Sequence, residues 1–511
     1  MNFKKYKSLN QADKKNEAYY IIGLDVGNDS SAIAYYNFAE NRAEAIDLSG
    51  GYGKPSIPTV MQYISETKEW VFGEYAVLNT EAGTVFGSFL TRMGQFDYVD
   101  VDGRSHSVAS VFALFIKELL GNVKNINPKA EIVGIVASIP AYFSAQARSE
   151  FERVFKLAGY EKELIALVPD RECVLAHHYE KPPENEGRVL LVDLGSRELR
   201  GGLYNISPAE EGISAVSMSS VFDSSVSLSA ITKDVCKLFG SFLPGRVPEN
   251  PAQGGFDEQL TAFTYQHKDI LFQKNIRTKP VKLYYNFVYP PFQQALDYET
   301  VEALISPYAK RFDKFIKNVL EKNLYEREVS PAEVDAVLCV GGGFDMLWAK
   351  EAVTSVFGNV FFYKNPKLVT AEGAAKVAAH ALDVAGFGLT IEDKHQLTHD
   401  IGIADGENFL TLVEKNGFWW QKHSAKLVLV NREVQGDLEL HLSELNEEGE
   451  GRELGIVHLD GLPNRPKGVT RLEILPNFIS NTELTLSVRD LGFGDLFPQT
   501  DYRREFALKI G

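Results

Sequence analysis

Cysteine is scarce in this chain. Three cysteines occur among 511 residues, at Cys173, Cys236 and Cys339. An odd number of widely spaced cysteines supports neither a disulfide framework nor a Cys-x-x-Cys metal site. Such usage is typical of a reducing compartment, so we expect a cytoplasmic protein without structural disulfides.

The chain also lacks an excess of positive charge and long apolar runs. It has 53 lysines and arginines against 69 aspartates and glutamates, which gives a net charge of −16. Because no dense basic stretch occurs, a nucleic-acid backbone is not expected as the principal partner. No run reaches membrane-spanning length, and residues 1–18 lack the apolar core of a signal peptide. We expect residues 1–18 to be a disordered tail, and we expect no nucleic-acid or membrane partner.

Two patterns divide the rest of the chain. From Tyr19 to about Leu382, apolar β-type runs alternate with amphipathic helices, which indicates an α/β domain. After about Gly386, short alternating runs are separated by Gly, Pro, Asn and charged turns, which indicates an antiparallel β-sandwich. The predicted domains are an α/β domain over 19–385, a linker over 386–399 and a β-sandwich over 400–511.

One strand-turn-strand device occurs twice in the α/β region. Gly23 to Ser30 and Leu191 to Ser196 each join an apolar run to an Asp-x-Gly turn, and in both copies a Tyr-Asn pair follows the aspartate by eleven residues. A duplicated lobe is the simplest explanation. Glycine lets backbone amides approach a ligand, and a carboxylate at a strand end can hold a metal or its water. Facing hairpins begun by Asp25 and Asp193 would grip a polyphosphate and its Mg²⁺, whereas a single copy is adequately explained as a plain β-hairpin.

A third glycine site follows an apolar strand predicted at 334–340. Gly341-Gly342-Gly343 leads into a predicted helix that contains Met346 and Leu347. Strand, glycine turn and helix form a nucleotide-binding layout, because backbone without side chains can lie against a ribose or a base. A dinucleotide fingerprint G-x-G-x-x-G at a first βαβ unit is absent. Alone, the triple glycine is weak evidence for a ligand.

Taken in chain order, these segments resemble the actin-like ATPase domain of the seventy-kilodalton heat-shock chaperones of the DnaK type. The motifs are Asp25-Val26-Gly27, Pro140-Ala141-Tyr142-Phe143 ahead of Arg148, Asp193-Leu194-Gly195, Gly341-Gly342-Gly343 and Glu372-Gly373-Ala374-Ala375. The C-terminal region resembles the substrate-binding sandwich of the same family through Leu459-Asp460-Gly461-Leu462-Pro463 and Pro466-Lys467-Gly468-Val469. Both modules stand in family order and cover nearly all of the chain after residue 18.

The resemblance implies a fold class, ligands and partners. The expected fold is an α/β actin-like two-lobe ATPase with duplicated ribonuclease-H-like lobes, followed by an antiparallel β-sandwich and no helical lid. Lobe I would comprise about 19–187 with 366–385, and lobe II about 188–365. ATP or ADP with Mg²⁺ would lie between the lobes. A peptide or protein client would bind the sandwich, at residues that the sequence does not identify, and co-chaperones stay unknown.

Matching positions assign the candidate site. The catalytic positions match Asp193, Asp25 and Asp170, and Asp170 stands where the family has a glutamate. Asp25 and Asp193 would hold Mg²⁺ through its water. The nucleotide-binding positions match Gly27, Asn28, Asp29, Gly195, Ser196, Gly341, Gly342 and Gly343.

The chain departs from the family pattern at several of these positions. Asn28 and Asp29 replace phosphate-loop threonines, and Phe89 stands at the position of the catalytic lysine. The second loop, which is glycine-rich in the family, reads Ser196-Arg197-Glu198-Leu199-Arg200, and Asp345 replaces an arginine after the triple glycine. Removing one preorganised charge-stabilising group typically costs about 10²- to 10³-fold in turnover. We expect very slow or absent hydrolysis, and whether the protein is an enzyme stays open.

Three functions are compatible with this pattern. The first is a divergent chaperone-like protein that binds nucleotide in its cleft and a partner on its β-module. The second is a nucleotide-independent scaffold or adaptor, which predicts an empty or filled-in cleft with Arg197 or Arg200 in the phosphate position. The third is a filament-forming or sugar-kinase-like protein, which the C-terminal Leu459–Pro463 stretch disfavours.

Overall fold

The computed structural model describes most of the chain. The described residues are 19–38, 40–48, 54–78, 83–95, 97–141, 143, 145–179, 181–209, 212–243, 245, 247–248, 256–321, 328–384, 388–393, 397, 399–405, 408–415, 423–445, 451–480 and 483–509. The chain divides into two compact units, unit 1 within Met1–Ala141 and Arg148–Glu392, and unit 2 within Tyr142–Ala147 and Asp393–Gly511. The tail predicted at residues 1–18 lies outside the described residues.

Unit 1 contains both strands and helices. Its described strands are β1 (Tyr19–Val26), β2 (Ser30–Asn37), β3 (Arg42–Ala45), β4 (Ser56–Pro58), β5 (Val60–Ile64), β6 (Glu69–Phe72), β7 (Gly83–Gly87), β8 (Tyr98–Val101), β9 (Arg104–Ser107), β10 (Glu131–Ile139), β11 (Leu164–Pro169), β12 (Gly187–Leu194), β13 (Leu199–Ala209), β14 (Gly212–Asp223), β15 (Val247–Pro248), β16 (Val281–Tyr285), β17 (Val288–Tyr289), β18 (Phe292–Leu296), β19 (Ala336–Val340), β20 (Val360–Phe362) and β21 (Gly388–Asp393).

The described α-helices lie between these strands. They are α1 (Glu74–Leu78), α2 (Val108–Gly121), α3 (Val123–Ile126), α4 (Ala145–Ala158), α5 (Asp170–His178), α6 (Leu228–Gly240), α7 (Phe256–His267), α8 (Tyr298–Glu321), α9 (Leu347–Thr354) and α10 (Val369–Ala381). Short 3-10 turns cover Leu90–Arg92, Lys268–Phe272, Lys274–Arg277, Pro331–Glu333 and Gly342–Asp345.

Two sheets of unit 1 have the same arrangement of strands. The first has the order β11-β10-β1-β2-β3, with β4 beside β2, and the second has the order β20-β19-β12-β13-β14-β21. In each, an antiparallel hairpin of the two earliest core strands continues through parallel pairs on the other side. The central strands are almost wholly apolar and buried, as strands covered on both faces require. The repeated hairpin in the sequence therefore opens two sheets of equal topology.

Helix α10 fixes the position of the first hairpin. Its alanines and glycine allow close packing against β1, β2 and β10. A β-carbon on Gly23 of β1 would collide with the backbone of Ala371 and Ala375, and one on Gly373 would collide with the backbone of Cys173 in α5. These close approaches hold the end of β1 and the start of α5 on one scaffold. That scaffold carries Asp25 and Asp170.

Unit 2 consists of antiparallel β-structure. Its strands are β22 (Asp400–Asp405), β23 (Asn408–Val413), β24 (Lys426–Val430), β25 (Asp437–Leu445), β26 (Gly451–Asp460), β27 (Thr470–Ser480), β28 (Glu483–Asp490) and β29 (Arg503–Lys509). They form two four-stranded sheets of order β23-β22-β25-β26 and β24-β27-β28-β29. Alternate residues of both sheets, such as Ile403, Leu440 and Leu486, enter one hydrophobic core. The shared core makes unit 2 a two-sheet β-structure.

The coarse fold prediction agrees with these elements, since a mixed α/β unit is accompanied by a β unit. Within the predicted linker 386–399, Gly388–Asp393 forms strand β21 beside β14 of the second sheet, and residues 386, 387, 394–396 and 398 lie outside the described residues. In the described part of the chain, every helix is either too short or too polar to cross a membrane.

Candidate functional site

The structure brings the three predicted catalytic carboxylates together in unit 1. Asp25 and Asp193 are the penultimate residues of β1 and β12, and Asp170 begins α5. The hydroxyl of Ser138, on β10 next to β1, donates a hydrogen bond of 2.5 Å to Oδ1 of Asp25. The charges of Asp170 and Asp193 both act on Asp25. The cluster is therefore built from both sheets.

Each predicted phosphate loop is a tight hairpin turn whose glycine amide is already bonded. The amide of Gly27 donates to the carbonyl of Ser30 at 2.9 Å, and the amide of Gly195 donates to the carbonyl of Glu198 at 3.1 Å. The two turns are thus equivalent in hydrogen bonding as well as in sequence position. Neither glycine amide is left to donate to a phosphate.

Arg200 occupies the space between the carboxylates. It lies directly across the hairpin from Asp193 in the β12–β13 register, where cross-strand side chains share a face. Its guanidinium forms ion pairs with Asp193 through Nη2 and with Asp170 through Nη1. Its Nε lies 3.9 Å from Oε1 of Glu198. One side chain of the second hairpin therefore bridges Asp193 of the second sheet and Asp170, which directly follows the last strand of the first sheet.

Burial controls the protonation of this cluster. Desolvation raises the pKa of Asp25 to about 7, against the lowering effect of the Ser138 hydrogen bond and of Arg200, while Asp170 and Asp193 raise it further. Desolvation also raises the pKa of Asp193 from its ordinary value, although Arg200 opposes the shift. The guanidinium of Arg200 is therefore the positive charge that Asp170 and Asp193 face, while burial brings the pKa of Asp25 close to neutrality.

The start of helix α6 donates hydrogen bonds to the turn of the second hairpin. The amides of Leu228 and Ser229 donate to the carbonyls of Gly195 and Ser196 at 3.0 and 2.9 Å. These first-turn amides are the groups with which a helix N-terminus binds an anion. The hydroxyl of Ser229 also donates to Oδ2 of Asp29 at 3.3 Å. The turn of the first hairpin therefore contacts the start of α6 through the carboxylate of Asp29. The negative charge of this carboxylate disfavours a phosphate beside it.

The triple glycine packs against the second hairpin. A β-carbon on Gly341 would collide with Oδ1 of Asp193, and one on Gly343 would collide with the side chain of Leu194. A β-carbon on Gly342 would lie 2.7 Å from Cε of Lys367. Gly341 also has a positive φ of 85°, which favours glycine. Packing against the second hairpin is a sufficient reason for glycine at Gly341 and Gly343, whereas the neighbour of Gly342 is the end of a flexible lysine side chain.

Phe89 and Arg197, two other positions considered from the sequence, contact residues other than these carboxylates. Phe89 is 2% exposed and stacks on Phe112 with ring centroids 4.5 Å apart, so it belongs to the core and presents no catalytic group to the cluster. Arg197 donates to the hydroxyl of Ser88. Of the two arginines predicted to reach into the phosphate position, Arg200 is the one that binds the carboxylates.

The residues present do not fit Mg²⁺ with a nucleotide. Of the carboxylates that would hold the metal, Asp193 is paired with Arg200 and Asp25 accepts a hydrogen bond from Ser138, and the turn and helix amides that would hold phosphates are bonded internally. Among the described residues, no group of three or more His, Cys, Asp or Glu side chains is arranged to hold a metal ion. No catalytic step through Mg²⁺ or ATP follows from this geometry.

Comparison with known proteins gives a distant relative and two uncharacterised families. The chain is similar to the chaperone protein DnaK of Thermosipho africanus (strain TCF52B), with 23% identity over 500 residues that cover 94% of this chain and 79% of that protein. A domain of unknown function (DUF8552) matches 394–510, and the C-terminal part of a family of unknown function (DUF5716) matches 42–211. The similarity to a seventy-kilodalton heat-shock chaperone therefore extends over most of the chain.

Proposed function

We propose that the protein is a chaperone-like scaffold or adaptor that works without nucleotide and binds a peptide or protein partner through unit 2. The similarity to DnaK supports the chaperone-like class. The matched sheets of unit 1 and the two-sheet unit 2 support an actin-like two-lobe domain and a substrate-binding sandwich. The observation that carries nucleotide independence is the pairing of Arg200 with Asp170 and Asp193.

Arg200 performs the charge compensation that a bound cation would otherwise supply. Side-chain exposure is 28% for Arg200, 18% for Asp170 and 15% for Asp193, so the pairs are partly desolvated. Removing one partner of a desolvated pair leaves a charge without compensation. A guanidinium also presents several donors in a fixed plane, which suits two carboxylates at once. Arg200 therefore ties the first sheet region to the second.

A second candidate is the first function inferred from the sequence, a protein that binds ATP or ADP with Mg²⁺ and hydrolyses it slowly or not at all. The order of the DnaK-like motifs favours it. Under this function, the Arg200 ion pairs must break before Asp193 and Asp170 can meet Mg²⁺ or its waters. The two candidates therefore differ in what nucleotide does to the folded protein.

The test is thermal unfolding of the full chain with and without 5 mM ATP or ADP and Mg²⁺. A ligand that binds only the folded state raises its stability by about 2.7 kcal/mol at one hundred times its Kd. We expect no shift in the melting temperature. A rise of several degrees that Asp193→Asn abolishes would overturn nucleotide independence and favour the second candidate.

Arg200→Met supplies the matching variant. It removes the guanidinium and keeps a long side chain, so we expect unfolding to become easier by roughly 1–3 kcal/mol. The control is Lys156→Met on helix α4, which removes the 2.8 Å ion pair with Glu161, whose two side chains are 62% and 61% exposed, and should cost less than about 1 kcal/mol. Equal effects of the two variants would contradict a special role for Arg200.

Partner binding is tested separately by suppression of the aggregation of a chemically denatured model enzyme. The proposal expects equal suppression with and without ATP. Suppression that requires ATP would contradict it, and no suppression in either condition would remove the chaperone-like activity while leaving the adaptor role.

A further inference from the structure

Unit 1 contains a cavity that is separate from the carboxylate cluster. Its volume is about 400 Å³, within the range of small-molecule sites. It lies between helix α8, helix α9 and the 3-10 turns Lys268–Phe272 and Lys274–Arg277. None of the residues assigned to the nucleotide site lines it. The cavity and the candidate site above therefore share no residue.

The floor of the cavity is apolar and its walls are aromatic. Phe272, Ile276 and Ile305 are nearly inaccessible to solvent and form part of the floor. Trp348 and Tyr298 are half-buried beside them. The indole Nε1 of Trp348 donates to Sδ of Met346 at 3.2 Å, which holds the ring in place. A flat apolar body is the shape that such a site accommodates.

The charges around the cavity favour a cation. Three carboxylates line it, those of Glu302, Asp313 and Glu351, against one guanidinium, that of Arg277. Glu351 already accepts two hydrogen bonds from Arg277, at 2.7 and 2.6 Å. The guanidinium also lies 5.3 Å from the centroid of the Tyr298 ring. Glu302 and Asp313 therefore leave a net negative charge beside two aromatic rings.

Helix α8 leaves room for the ligand between its two acidic residues. Glu302, Ser306, Ala309 and Asp313 recur at helical spacing and all line the cavity. Ser306 and Ala309 are the small members of this series and lie between the two carboxylates along the helix. A cationic group at the mouth is then within reach of an acidic side chain on either side.

We infer that this cavity is a binding site for an organic cation with a flat apolar body, such as an aryl-alkyl ammonium compound. The apolar floor and aromatic walls receive the body, and Glu302 or Asp313 pairs with the ammonium group. A cation beside Trp348 gains further attraction from the face of the indole ring. The inference does not depend on the proposed function, because it uses different residues and a different ligand.

The experiment is calorimetric titration of the full chain with tryptamine and with indole-3-propionic acid. The two probes share an indole body and carry opposite charges at neutral pH. We expect saturable binding of tryptamine and at least tenfold weaker binding of the acid. Equal affinity for both probes, or saturable binding of neither, would overturn the inference.

Variants on one helix locate the site. Ala309→Phe fills the cavity and should weaken tryptamine binding at least tenfold. Ala303→Phe is the matched control, because Ala303 is exposed on the same helix and does not line the cavity. The double variant Glu302→Gln with Asp313→Asn changes exposed side chains only and should remove the preference for the cation. Retained binding in Ala309→Phe, or a retained preference in the folded double variant, would overturn the inference.

Discussion

At the scale of single residues, the two hairpins differ at one important position. Ala32 lies opposite Asp25 in the first hairpin, and Arg200 lies opposite Asp193 in the second. The aspartates are equivalent, but only the second faces a cation on its own hairpin. Asp25 instead receives a hydrogen bond from Ser138 and has a raised pKa. One difference between the two hairpins thus gives the two aspartates different hydrogen-bond and ion-pair partners.

The first prediction concerns Asp25. Its pKa is about 7 in the folded protein and about 3.9 in an unfolded chain. The folded state therefore binds the proton more tightly, so the stability from Asp25 is complete below about pH 4 and is lost as the pH rises towards 7. Asp25→Asn removes this pH-dependent loss. The change in unfolding free energy that it causes, relative to wild type, should therefore be roughly 2–4 kcal/mol more favourable at pH 8 than at pH 4. Urea unfolding at both pH values measures this difference.

The control for this prediction is Asp257→Asn, an exposed carboxylate on helix α7. Asp257→Asn should change the difference between the unfolding free energies at pH 8 and pH 4 by less than about 0.5 kcal/mol. A pH dependence that is identical in wild type and Asp25→Asn would show that Asp25 is already ionised below neutral pH.

At the scale of elements, sequence reasoning succeeded where a pattern has one physical cause. The matched spacing after Asp25 and Asp193 predicted equivalent hairpins, and the observed turn bonds of Gly27 and Gly195 are equivalent. The same spacing gives the residue across the hairpin from each aspartate. Arg200 follows Asp193 by seven residues, and Ala32 follows Asp25 by seven. Arg197 and Arg200 are the two arginines that the sequence offers for this position, and the register of the hairpin places Arg200 opposite Asp193.

Other features of the site were beyond sequence reasoning because a residue type can serve two purposes. A glycine can leave room for a ligand or for a neighbouring strand. At Gly341 and Gly343, the structure shows Asp193 and Leu194 in that space. The position of Phe89 matched a catalytic lysine in the family, whereas its burial depends on Phe112 of α2. Such long-range packing has no local signal in a single sequence.

The second prediction concerns a buried ion pair of unit 2. Asp490, at the end of β28, is 1% exposed and accepts hydrogen bonds of 2.6 and 2.8 Å from Arg465. Burial raises its pKa, but Arg465, Gly492 and Thr500 reverse the effect and lower it below the ordinary value. Asp490→Asn leaves the Arg465 charge buried without its partner, so we expect a loss of about 3–5 kcal/mol in urea unfolding.

The matched control is Arg489→Met on the same strand. Its partner Glu473 lies 3.1 Å away, and both side chains are substantially exposed, so the loss should stay below about 1 kcal/mol. The stability from Asp490 is present at neutral pH and lost as the pH falls through its lowered pKa. Similar losses in Asp490→Asn and Arg489→Met would contradict the buried-pair argument.

At the scale of the whole molecule, each unit has a hydrophobic core of its own. Among the described residues, the core of unit 2 is formed by strands and adjoining residues of the C-terminal region. Unit 1 has several clusters, among them one that gathers Leu190, Phe312 and Val337 around the second sheet. Separate cores of this kind are the physical basis of separately cooperative domains.

The third prediction is therefore that calorimetry of the full chain shows two unfolding transitions. Phe89→Ala removes a fully buried ring of unit 1 and should lower one transition, at a cost of about 3–5 kcal/mol. Asp490→Asn should lower the other. A single transition that both variants lower equally would show that the units unfold together.

The bridge formed by Arg200 has a consequence for regulation. A soluble effector acts as a signal because its concentration changes, whereas a covalently attached side chain has the same local concentration at all times. On the proposal made above, the ratio of ATP to ADP in the cell would carry no information for this molecule. Its output would follow the amount of protein made and degraded, and the supply of its partners.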